Sequence, residues 1–172
     1  RCCTESGIRI TGATPLAAAQ GSYYLEDPMN RKEAPILQRQ DTVRAPAFSP
    51  RMVHSGWGMD QFPDSQLRLM AHYGFDSVVL TLRGIDETAG GYRDIQDIID
   101  RAAQYGLGVY FYSNIPSEMH PADAGAEEYY ESIYGKIFAR YPQAKGLILV
   151  GESIEFPSRD PHTTGKIRSI PG

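Results

Sequence analysis

Leu67-Arg68-Leu69-Met70-Ala71-His72-Tyr73-Gly74 runs straight into Phe75-Asp76-Ser77-Val78-Val79-Leu80-Thr81-Leu82. Apolar residues spaced three and four apart in the first half define one helix face. Gly74 can close that helix by accepting a left-handed backbone. The second half is apolar on consecutive positions, as expected of a parallel strand covered on both sides. The passage recurs. Ile98-Ile99-Asp100-Arg101-Ala102-Ala103-Gln104-Tyr105-Gly106 leads into Leu107-Gly108-Val109-Tyr110-Phe111-Tyr112, with the two Tyr-Gly pairs 32 residues apart. A third copy, at a slightly longer interval, runs from Ile137-Phe138-Ala139-Arg140-Tyr141 through Lys145-Gly146 to Leu147-Ile148-Leu149-Val150.

Working outward, an earlier strand is predicted from Met52 to Trp57, and Pro63-Asp64 starts the first of the helices. Four strands and three helices between residues 51 and 156 therefore alternate, which predicts right-handed βαβ units. A doubly wound open sheet fits the same alternation. The first loop, however, lacks the Gly-rich phosphate turn that such folds often use, so the barrel is the preferred reading. A complete (β/α)8 barrel takes about 250 residues. The expected fold is thus α/β, the N-terminal half of a parallel (β/α)8 (TIM) barrel, with residues 49–172 as its first four βα units in truncated form. The strands should be neighbours in sequential order. Thr163 to Gly172 shows no core-forming pattern.

Residues 1–48 read differently, as the end of a small α/β domain and a linker. Gly7 to Thr11 is a short predicted strand, Pro15 to about Met29 a helix, and Ile36 to Val43 a strand or hairpin. Arg44-Ala45-Pro46-Ala47-Phe48-Ser49-Pro50 is the linker, since proline disfavours helix in itself and its predecessor.

The 172 residues are 41% hydrophobic and 22% charged, with a net charge of −4. That balance offers no basic footprint for nucleic acid. No apolar run approaches the length of a membrane helix, so neither partner is expected. The cysteines are the adjacent pair Cys2-Cys3, which makes no disulfide framework. Compartment and oligomeric state are left open by the sequence.

In β/α barrels chemistry sits at the C-terminal ends of the strands. Here those positions hold His54 to Asp60, then Thr81-Leu82-Arg83, then Tyr112-Ser113-Asn114 continuing through Glu118-Met119-His120, and finally Gly151-Glu152-Ser153 with Glu155 beyond. The set lacks the His and carboxylate spacing of a hydrolytic metal site, a Gly-x-Ser-x-Gly elbow and a phosphate loop. No metal and no other cofactor is expected. Carboxylates beside aromatic rings are what a sugar site needs: one carboxyl protonates the leaving oxygen, a second acts as nucleophile or base, and flat rings pack on the sugar.

Plainer readings stand beside these. Glu152 is otherwise a solvated loop carboxylate or half of a salt bridge, and Arg83 a partner for a neighbouring carboxylate. Trp57 is a sugar platform or a plug over the barrel end. Asn114 and His120 are site residues or groups that order their loops. His72 on a helix and His162 in the tail read as structural or exposed. Glu127, Glu128 and Glu131 read as a solvated face at a helix start, where negative charge suits the dipole.

The N-terminal third also carries a resemblance. Gly7-Ile8-Arg9-Ile10-Thr11-Gly12-Ala13-Thr14, Gly21-Ser22-Tyr23-Tyr24-Leu25-Glu26-Asp27, Ala34-Pro35 and Pro50-Arg51 together resemble the approach to the barrel in β-N-acetylhexosaminidase-type glycoside hydrolases. The α-glucuronidases are similar in layout. The resemblance implies a small α/β domain ending in a helix, a linker, and a barrel whose first strand opens on Arg51. It implies sugar contacts for Arg51 and for His120 in the loop after the third strand, and makes Glu152 the general acid at the end of the fourth. Hexosaminidases have Asp-Glu there and this chain has Gly151-Glu152, so the carboxylate that orients an acetamido group is missing.

The expected function is therefore a glycoside hydrolase with Glu152 as catalytic acid and Arg51, Trp57, Asn114 and His120 binding a carbohydrate substrate. The second carboxylate is expected on later strands. A non-catalytic carbohydrate-binding or structural barrel is the alternative. A lyase or aldolase would want a strand-end Lys or a metal cluster, and the strand ends show neither.

Overall fold

Three helix-to-strand passages fold as their sequences suggest. The computed structural model describes residues 7–56, 60–115 and 119–149. After helix α1 (Pro15–Lys32) come strand β1 (Met52–His54), α2 (Asp64–His72), β2 (Ser77–Leu82), the short pair β3 (Glu87–Thr88) and β4 (Gly91–Tyr92), α3 (Ile95–Gln104) and β5 (Gly108–Ser113). Then α4 (Ala126–Tyr130), a π-helical turn (Glu131–Gly135) and α5 (Lys136–Arg140) lead to β6 (Gly146–Ile148). Gly74 and Gly106, just past α2 and α3, take φ of +89° and +73°, the left-handed values that let the chain leave each helix and enter a strand. At the other end of α3, Asp94 accepts the Asp97 N–H at 2.9 Å and caps the helix.

The fold is mixed α/β with a four-stranded parallel sheet in the order β1-β2-β5-β6. These are the four expected strands, side by side in chain order. The loop between β2 and α3 also folds back as an antiparallel pair, Glu87 opposite Tyr92, which the sequence reading did not anticipate.

Period-two alternation gives the sheet two distinct faces. One carries Val53, Val78, Leu80, Val109, Phe111 and Leu147, and onto it pack Leu67, Met70 and Ala71 of α2, the isoleucines of α3, and Ile137 of α5. The register aligns Val78 with Val109 and Leu80 with Phe111, so this core is continuous across the strands. The other face is more polar. Its rows run His54–Val79–Tyr110–Gly146 and, nearer the strand ends, Thr81–Tyr112–Ile148. All six residues of β2 are buried, whereas β5 alternates between buried and half-buried.

Tyr141, fully buried after α5, closes the core from one side. Its ring meets Phe111 edge-on with centroids 5.7 Å apart. Its hydroxyl donates to Asp86 Oδ1 at 2.8 Å and accepts the Asp86 N–H at 3.0 Å. The same Oδ1 receives the N–H of Ile95, the first residue of α3, at 3.1 Å. Asp86 holds a φ of +55°, unusual outside glycine, and these three bonds secure it. Burial, and then the Asp86 hydrogen bond, push the Tyr141 phenol up to about 12.

The N-terminal region differs from expectation. The helix is present and longer, reaching Lys32, but Gly7–Thr11 and Ile36–Val43 form no strand. A strand needs a ladder partner for its backbone groups, and none lies beside either segment among the described residues. Ile8, Ile36 and Val43 accordingly stay 67%, 61% and 94% exposed. What is built is one helix against the α/β unit. Leu16 rests on Gly106, Tyr23 packs against the core, and Gln20 donates to the Phe75 carbonyl at 3.3 Å.

Candidate functional site

Parallel strands in sequential order bring four C-terminal ends to one edge: His54, Leu82, Ser113 and Ile148. The loops leaving that edge are held by side-chain bonds. β1 pairs with β2 only as far as His54 opposite Val79, so the next inward-facing amide, Thr81 N–H, lacks a strand partner. Asp60 takes that place. Fully buried, it accepts Thr81 N–H on Oδ2 at 3.3 Å and the Ser55 hydroxyl on Oδ1 at 2.7 Å. A buried carboxylate needs such donors to be tolerated, and here they also tie the two ends of the 55–60 loop together. Gly56, at φ +91°, donates its N–H to His54 Nδ1 at 2.8 Å.

The end of β5 is clasped by tyrosines. Asn114 N–H continues the ladder to Leu82 O at 2.8 Å, which by alternation sets Asn114 on the same face as Tyr110 and Tyr112. Ser113 Oγ and Tyr134 Oη lie 2.9 Å apart, and Tyr130 donates to the Met119 carbonyl at 2.6 Å. Tyr130 and Tyr134 are parallel within 7°, with centroids 6.2 Å apart. Tyr129 meets Tyr130 edge-on at 5.3 Å. The π-helical turn lies between α4 and α5 at this point, a feature often found at functional sites. In the loop itself His120 N–H donates to Asp123 Oδ2 at 3.1 Å, Asp123 N–H to His120 O at 2.9 Å, and Ala122 N–H to His120 Nδ1 at 3.0 Å.

Asn114 and His120 therefore sit at the edge where the sequence put them. Trp57 and Glu152 lie outside the described residues, Glu152 four positions after the last residue of β6. Arg51 is not brought together with them. It precedes β1, at the opposite end of the sheet, and its guanidinium engages Asp76 at 3.4 Å, Gln20 Oε1 at 3.3 Å and the carbonyls of Gly74 and Phe48. Asp76 also accepts Arg51 N–H at 2.8 Å. These contacts join α1, the linker and the start of β2.

Arg83, directly after β2, is exposed and donates its backbone N–H to Glu87 O at 2.9 Å. His72 lies between Asp27 at 3.2 Å and Glu26 at 3.7 Å, a link from α2 to α1. Glu127, Glu128 and Glu131 are exposed, and His162 is outside the described residues. Sequence reading missed Asp60 as a loop clasp, because a lone Asp in a polar loop carries no sign of burial. It also missed Tyr130 and Tyr134, although their spacing of four on a helix was a usable signal.

Among the described residues no group of His, Cys, Asp and Glu is arranged to hold a metal ion, and no helix is long and apolar enough to cross a membrane. The chain matches no family model, no curated protein and no solved structure.

Proposed function

We propose that the chain forms the first four βα units of a (β/α)8 barrel and that the complete protein is a glycoside hydrolase with Glu152 as its general acid. The observation that carries the reading is the common edge: four parallel strand ends in sequential order, with a carboxylate following the last of them in the sequence. The face bearing Tyr110 and Tyr112 is the barrel interior in this reading, and the opposite face is the one the helices cover. Barrels of this kind do their chemistry at the C-terminal edge. Asn114, His120 and Trp57 bind the sugar, and Arg51 anchors the N-terminal helix. Gly151 offers no carboxylate for an acetamido group, so the substrate is a glycoside without one.

The test is hydrolysis of a panel of aryl glycosides, with and without a 2-acetamido group, by the full-length protein. Turnover of at least one glycoside lacking the acetamido group is expected. Activity confined to N-acetylhexosaminides overturns the substrate claim. Binding without hydrolysis across the panel favours a carbohydrate-binding barrel.

A further inference from the structure

We infer that His54 is a substrate-contacting residue of this site, donating its Nε2–H to a hydroxyl of the glycoside; the inference rests on the glycosidase reading above. Val53 joins the helix-covered core, so alternation turns His54 to the opposite face, in the row with Val79 and Tyr110. His54 is the last residue of β1, one row of this face before the Thr81–Tyr112–Ile148 row nearer the strand ends, and it is exposed there. Strand spacing puts its backbone about 10 Å from that of Tyr110, two strands away, a span that fits one sugar ring.

The ring has a defined chemical orientation. Gly56 N–H donates to Nδ1 at 2.8 Å, which occupies the lone pair there and assigns the neutral proton to Nε2. Gly56 itself holds φ +91°, a value that glycine readily adopts and residues with a Cβ do not. Among the described residues Nε2 has no hydrogen-bond partner of its own. The imidazole is thus held by one nitrogen and presents the other as a donor, which is how a site fixes a sugar hydroxyl.

Two substitutions separate the two nitrogens. His54→Asn keeps an acceptor where Nδ1 sits and removes the outer donor. His54→Gln keeps an N–H near the position of Nε2 and removes the inner acceptor. Binding of the aryl glycosides to the full-length protein is read by ligand-observed NMR, and thermal unfolding is read beside it. His54→Asn should weaken binding about three- to tenfold, the worth of one neutral hydrogen bond, with little change in Tm. His54→Gln should bind within about twofold of wild type by the same reckoning and unfold at a lower temperature. A purely loop-ordering histidine gives the reverse: Asn binding as wild type, or Gln weaker than Asn, overturns the inference. Glycoside binding without turnover in the wild type removes the hydrolase reading and leaves the comparison of Asn with Gln decisive for His54. Absence of binding by the wild type overturns both.

Discussion

Replacing Glu152 with glutamine is expected to cut turnover of aryl glycosides by the full-length protein about 100- to 10,000-fold, the span of a lost general acid. Glutamine keeps the shape and the hydrogen bonding but has no proton to give to the departing oxygen. The loss should therefore scale with the leaving group. Glycosides of basic phenols, which need protonation to depart, should suffer most, and those of acidic phenols least. KM should change little, because the acid acts in the transition state rather than in binding. A uniform loss across leaving groups would point to a binding role for Glu152. An unimpaired variant would remove it from the mechanism.

Tyr141→Phe is expected to destabilise the fold by roughly 2–3 kcal/mol at neutral pH, since the Asp86 carboxylate and amide both lose a buried partner. The cost should depend on pH in a definite direction. The phenol, pushed up to about 12 in the folded chain, keeps its proton longer there than in the unfolded chain, where tyrosine titrates near 10. Its contribution is complete below pH 10 and falls as pH rises through 12, by roughly 1.4 kcal/mol for each pKa unit between the two states. Denaturant unfolding of wild type and variant across that range should show the gap between them narrowing. A gap that stays constant from neutral pH to 12 would contradict this account of the phenol, and no gap at any pH would mean that Tyr141 acts through its ring packed on Phe111 alone.

Much of the α/β unit was legible because it is local. Leu67, Met70 and Ala71 mark the buried face of α2, and Gly74 and Gly106 mark where helices stop, each signal lying within a few residues of the element it marks. The sequential strand order followed from the same alternation. The segments Gly7–Thr11 and Ile36–Val43 have strand-like composition, but a strand also needs a partner, which composition does not report. Asp86 and Tyr141 stand 55 residues apart, so neither residue signals the other. Arg51 shows the limit of carrying a role over by position. A residue before a parallel strand lies at the N-terminal end of the sheet, and Asp76, Gly74 and Gln20 take up its guanidinium there. His54 and Asn114 fall at the other end by the same rule, and strand direction alone predicts it.

The proposed site at the C-terminal edge of the sheet is tested most directly by locating a bound sugar. A crystal structure of the full-length protein with a glycoside inhibitor should place the ring over the C-terminal ends of β1, β2, β5 and β6, with the Glu152 carboxyl within hydrogen-bond reach of the glycosidic oxygen. A sugar bound at the opposite end of the sheet beside Arg51, or away from the sheet altogether, would contradict the account.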